Sequence, residues 1–289
     1  MAAAAFSPAR FTAFLAVLAT FFAVGIEKAH AEDACGELIT LDVRDGVTQS
    51  YALIHAHTSN PTRGVIVLMA GGGGNLALDN RGCVQQLGGN TLIRIAPHLS
   101  REGYATALVD APSDHKGLDG LGAFRTSPEH AGDIGHVIRD LRERLDVPVH
   151  IAGSSRGTIS AVNAAARLFG AEDPESVMLF SPITSGRTGR QKPWVAQTVF
   201  NVLLNDIRTP VLVVAHKDDK CARTPPGEAP DILDDTMGER EQFVLLDGGK
   251  PNAPDISPLK ACAGRFPHGF GGLDREITEL IVKFLEDRR

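Results

Sequence analysis

The 289-residue chain is 43% hydrophobic and 22% charged, with a formal net charge of -6. An acidic balance without a basic stripe argues against nucleic acid or an anionic membrane as the main partner. No repeat or low-complexity stretch follows the N-terminal segment, which excludes solenoid and linker-like architectures.

Residues 1–31 read as a secretory signal. Arg10 supplies a positive start, and Phe11 to Ile26 is apolar but too short, and wrongly flanked, for a membrane span. Ala29-His30-Ala31 fits a small-x-small cleavage site, so the mature chain is expected to begin at Glu32. The alternative is an uncleaved N-terminal anchor. Arg10, Glu27 and Lys28 leave +1 on this segment, so the remainder carries about -7. Residues 32–289 suit one large α/β domain or two small ones. Four cysteines follow the cleavage site: Cys35, Cys83, Cys221 and Cys262. An even count in an exported chain points to two disulfides with three open connectivities. Four buried thiols are the plainer alternative. No pair has the Cys-x-x-Cys spacing that favours zinc.

Leu38 to Val43 and Tyr51 to His55 flank Asp45-Gly46, which predicts an antiparallel hairpin. Val65 to Met69 is a continuous apolar run, as in a strand buried on both faces. Leu92, Ile95 and Leu99 give helical spacing over Thr91 to Arg101, which Gly103 ends, and Tyr104 to Val109 is the next strand. Ser127 caps a helix begun by Pro128 and Glu129, with Ile134, Val137, Ile138 and Leu141 on its apolar face. Strands follow at Val147 to Ile151, Val177 to Phe180, Pro210 to Ala215 and Phe243 to Leu246. Helices are expected from Ile159 to Leu168, Val195 to Leu204, Ala229 to Met237 and Leu273 to Leu285. About eight strands alternating with helices predict a mostly parallel sheet covered on both faces. The long loops, 110–126, 181–194 and 221–228, each follow a strand and so lie at the carboxyl edge, where sites form.

Between the strand ending near Ile151 and the helix from Ile159 stands Gly153-Ser154-Ser155-Arg156-Gly157. A Gly-x-Ser-x-Gly run in that context places a serine on a sharp turn, hydroxyl exposed, with a helix N-terminus behind it. Only Ser155 has glycine two residues away on both sides, so Ser155 is the candidate nucleophile and Ser154 a turn filler. The plainer reading is a glycine-rich turn. A serine needs an imidazole base oriented by a carboxylate. Asp218 and Asp219 follow the strand Pro210 to Ala215. Asp219 is preferred because it lies deeper in the loop; both are otherwise solvated loop acids beside Lys217 and Lys220. His268 is the candidate base, on a loop between the last strand and the last helix, with His216 second. His98, His130, His136 and His150 sit on predicted helices and a strand before the nucleophile.

Gly71 to Gly74 follow the strand Val65 to Met69 and expose backbone N–H groups for an oxyanion. One N–H from this run, that of Gly72 or Gly73, together with the N–H of Arg156 would form a two-donor hole. A competing dinucleotide fingerprint, Gly72-x-Gly74-x-x-Ala77, requires an immediate helix and an acid about 20 residues on. Leu76 to Gly89 reads as loop, and Asp110 is too distant. The Arg156 side chain either binds a substrate carboxylate or pairs with Asp110 or Glu129.

With Ser155, Asp219 and His268 in that order, each after its own strand, the chain resembles the α/β-hydrolase family over nearly all of residues 32–289. That resemblance implies one α/β-hydrolase domain, a Ser155–His268–Asp219 triad and an oxyanion hole within Gly71 to Gly74. Ala70-Gly71 stands where the family commonly has His-Gly, and Arg156 where Gln, Met or Gly is common, which leaves the substrate class open. If acid and base meet as the family implies, Cys221 and Cys262 lie on adjacent loops and pair, leaving Cys35 to Cys83. The function expected is that of an exported, periplasmic or extracellular, serine hydrolase of small-molecule esters, using no metal or organic cofactor and not inserted in a membrane after cleavage. Acyl transfer or thioester cleavage by the same triad, and a non-catalytic binding protein of this fold, are the alternatives. Nothing in the sequence speaks to oligomeric state.

Overall fold

The computed structural model describes residues 1–2, 35–186 and 192–287. Beyond its first two residues, the expected signal segment with its cleavage site lies outside the described residues. So does part of the loop 181–194. The chain divides after Asp33, and every element belongs to the unit Ala34–Arg289.

The elements in chain order are β1 (Glu37–Arg44), β2 (Val47–Ile54), β3 (Gly64–Met69), α1 (Thr91–Arg101), β4 (Tyr104–Val109), α2 (Pro128–Leu145) and β5 (Val149–Ser154). They continue with α3 (Gly157–Arg167), β6 (Val177–Phe180), β7 (Val211–His216), α4 (Asp231–Asp235), β8 (Glu241–Leu246) and α5 (Asp274–Glu286). The strands form one eight-stranded sheet in the order β1-β2-β4-β3-β5-β6-β7-β8. β2 runs antiparallel to β1 and β4, and all other neighbours are parallel.

Every residue of β3 to β7 is buried, as apolar runs covered on both faces should be. Alternation divides their side chains between two cores. Val65, Val67 and Met69 join Ile134, Val137 and Ile138 of α2 and Ile159 and Val162 of α3. Ile66 and Leu68 join Leu92, Ile95 and Leu99 of α1 and Ile277, Ile281 and Phe284 of α5. Burial of each such side chain contributes roughly 1.5–3 kcal/mol. Side-chain caps fix the helix starts: Asn90 accepts from Leu92 N at 3.0 Å and Ser127 from His130 N at 3.1 Å.

Two expected helices are corrected. The stretch Val195 to Leu204 instead forms short 3-10 turns at Pro193–Ala196, Val199–Asn201 and Leu204–Asp206. Thr198 and Asn201 exchange capping hydrogen bonds there, which restarts the chain before a helix can propagate. Ala229 to Met237 shortens to α4, because Thr236 turns extended and bonds Glu241 instead. Two disulfides are present: Cys35–Cys83 ties the segment before β1 to the loop after β3, and Cys221–Cys262 joins the loops after β7 and β8.

Candidate active site

β5 runs into α3 through Ser155, whose φ of +53° lies in the left-handed region. Such a backbone costs a non-glycine residue about 1–3 kcal/mol and persists only when its surroundings impose it. Here Ser155 N donates to Phe180 O at 2.8 Å, and Ser155 O accepts from Thr158 N at 3.0 Å and Thr158 Oγ1 at 2.6 Å. A Cβ on Gly153 would stand 2.4 Å from Gly157 O, and one on Gly157 would stand 2.0 Å from Met69 O. Glycine is therefore required at both flanks, and the side chain thrust outward is that of Ser155. Ser154, buried at the end of β5, accepts from Asn90 at 3.4 Å.

Three residues past β7, the buried Asp219 carboxylate gathers its neighbours. Oδ1 accepts from Cys221 N at 2.8 Å, and Oδ2 accepts from Thr224 Oγ1 at 2.7 Å and from His268 Nδ1 at 3.0 Å. Thr224 Oγ1 also lies 3.0 Å from His268 Nδ1. A carboxylate at Nδ1 holds the proton there and leaves the Nε2 lone pair to act as base. Nε2 has no hydrogen-bond partner among the described residues. The His268 main chain is fixed by Ser181 Oγ, which donates to His268 O at 2.7 Å. The exposed Asp218 contributes only backbone contacts. His216 is spent on structure: Nδ1 accepts from Asp218 N and Nε2 donates to Gly248 O.

Ser155 and His268 face one pocket of about 240 Å³, together with Gly71, Gly72, Leu87, Asn90 and Cys262. No hydrogen bond joins Ser155 Oγ to His268 among the described residues. Asp219, Cys221 and His268 lie close enough together to suggest a metal site. The Cys221 sulfur, however, is bonded to Cys262 and offers no thiolate. A larger cleft of about 700 Å³ lies at the amino edge of the sheet, around Pro148, His150, Ser176 and Pro210, far from this chemistry.

No family model matches the chain, and no curated protein matches it. Solved structures do. Est1E from Butyrivibrio proteoclasticus superposes with a TM-score of 0.58 at 16% identity, over 86% of this chain and 98% of its own. A soluble variant of monoglyceride lipase from Saccharomyces cerevisiae gives 0.59 at 14%, over 87% and 95%. An α/β serine hydrolase homologue from Coxiella burnetii gives 0.53 at 16%, over 86% and 96%. The chain has the α/β-hydrolase fold.

Within the α/β-hydrolase fold, the loop after β3 passes beside the serine. A Cβ on Gly71 would stand 2.8 Å from Ser155 Cβ. Gly72 takes φ +57°, and Gly71 O accepts from Gly74 N at 3.1 Å, closing a tight turn. Gly71 and Gly72 line the pocket; Gly73 packs on Gly120, and its carbonyl accepts from Leu121 N at 2.8 Å. No helix follows the glycine run until α1, so the dinucleotide fingerprint lacks its phosphate-binding helix.

Two residues that sequence reasoning missed complete the surroundings. Thr224 sits between Asp219 and His268. Arg125 is fully buried beneath the glycine loop, donating to Ala70 O at 3.2 Å, Gly72 O at 3.3 Å and Ser160 Oγ at 2.6 Å. Burial pushes its guanidinium well below its ordinary range, with repulsion from Arg156 adding to this. Arg156 pairs with neither Asp110 nor Glu129. Asp110 instead collects Leu76 N, Ala77 N and Lys116 Nζ. Arg156 stacks 4.0 Å over the Trp194 ring, with Nη2 donating to Gly122 O at 3.3 Å.

Proposed function

We propose that the protein is an exported serine hydrolase, one domain over residues 32–289, that cleaves small-molecule esters through an acyl-enzyme. Ser155 Oγ attacks the ester carbonyl as His268 Nε2 takes its proton. The carbonyl–alkoxy bond breaks, and the imidazolium protonates the departing alcohol. Water, deprotonated by the same imidazole, releases the acid and restores Ser155. Asp219 keeps the imidazole tautomer and stabilises the imidazolium. The N–H of Arg156 and that of Gly72 or Gly73 are the proposed oxyanion donors, and the Arg156 side chain binds substrate. The chemistry calls for no metal or organic cofactor.

One observation carries this proposal: a serine at φ +53° opens into the same pocket as an imidazole tied through Nδ1 to a buried carboxylate. The esterases and the lipase among the solved neighbours support ester chemistry. Two disulfides, and the absence among described residues of a helix able to cross a membrane, are compatible with a periplasmic or extracellular location. The test is hydrolysis of 4-nitrophenyl acetate and butyrate by wild type and Ser155→Ala. Wild-type turnover that falls by at least about 10⁴-fold in the variant is expected. Equal turnover in both would overturn the proposal.

A further inference from the structure

Arg156 follows the proposed nucleophile directly, so its Cα stands about 3.8 Å from that of Ser155. That guanidinium is half-buried and flat on Trp194, and Gly122 O is its one hydrogen-bond acceptor among the described residues. Leu121 N bonds Gly73 O, so this contact adjoins the glycine run beside Ser155. No described carboxylate forms an ion pair with Arg156. Asp119, which acts on it from a distance, is itself paired with Lys192. The neighbours that matter are cations: Arg125 lies below with neutral partners only, and Arg223 is close enough to repel. Burial first, and Arg223 second, lower the Arg156 pKa to about 10.

A half-buried guanidinium next to the proposed nucleophile, with no ion-pair partner among the described residues, calls for an anion. A ring-stacked guanidinium keeps its edge available for a planar, two-hydrogen-bond grip on a carboxylate. We propose that Arg156 determines specificity and that the preferred substrates are esters bearing a carboxylate, held by this guanidinium while Ser155 attacks. This rests on Ser155 being the nucleophile.

The test uses two pairs matched in shape and differing in charge, one with the carboxylate on each side of the ester. They are 4-nitrophenyl hemisuccinate against its methyl ester, and 3-acetoxybenzoate against its methyl ester, with enzyme-free rates subtracted. The charged member of at least one pair should be favoured in kcat/KM by about tenfold or more, and that ratio should fall about tenfold in Arg156→Gln. Turnover without charge preference, or a ratio unmoved in the variant, overturns this inference alone. No turnover of any of the four esters overturns the nucleophile assignment and this inference with it. Should Arg156→Gln fail to fold, wild-type hydrolysis of the neutral esters is measured with added succinate or 3-hydroxybenzoate at constant ionic strength. Competitive inhibition beyond that of chloride is expected, and none would overturn the inference.

Discussion

Thr224 joins the proposed acid and base through one oxygen, donating to Asp219 at 2.7 Å and lying 3.0 Å from His268 Nδ1. Its hydroxyl restrains the carboxylate against rotation and so aims the imidazole. Thr224→Val should lower kcat about tenfold with little change in KM, and Thr224→Ser should retain most of the rate. Steady-state kinetics check this, and a Val variant at full kcat would contradict it. The sequence favours Asp219 over Asp218 only by its place one residue further into the loop, and it is Asp219 that contacts His268. Thr224 and Arg125 leave no such trace. Arg125 meets Ala70 across 55 positions, and nothing between Phe124 and Thr126 announces a buried guanidinium.

At the scale of elements, the strand–turn–helix around Ser155 depends on glycine for space. Gly157→Ala should destabilise by about 3 kcal/mol or more, since its Cβ would collide with the Met69 carbonyl at 2.0 Å. Gly132, inside α2, has nothing within 4 Å of its missing Cβ. Gly132→Ala should therefore stabilise by about 0.5–1 kcal/mol. Urea unfolding of both variants checks the contrast, and equal shifts would contradict it. Elements with a strong apolar period or an intact cap, such as α1 and α2, were legible residue by residue. The 193–206 stretch was not, because apolar spacing there competes with the local Thr198–Asn201 cap, which periodicity does not register.

For the whole molecule, runs apolar throughout mark strands buried on both faces, so a mostly parallel sheet covered by helices was readable from the sequence, whereas the strand order, with β4 between β2 and β3, was not. The pockets were not, because they arise where distant loops meet. Two buried histidines set an acid limit on stability. Burial lowers His150 from 6.5 to about 4 and, with help from Arg125, His130 from 6.5 to about 3. Below about pH 6.5 the unfolded chain binds protons that these folded residues refuse, so stability falls as pH drops toward 4. Each contributes up to about 1.4 kcal/mol per pH unit. His150→Asn should flatten the slope between pH 6.5 and 5 by up to that amount in urea titrations; an unchanged slope would contradict it.

The most direct measurement is incubation of the folded protein with a fluorophosphonate, followed by peptide mass spectrometry. A single adduct on Ser155, absent in Ser155→Ala and much slowed in His268→Ala, is the expected result. No adduct on folded protein, or one on another serine, would show that Ser155 is not the activated nucleophile.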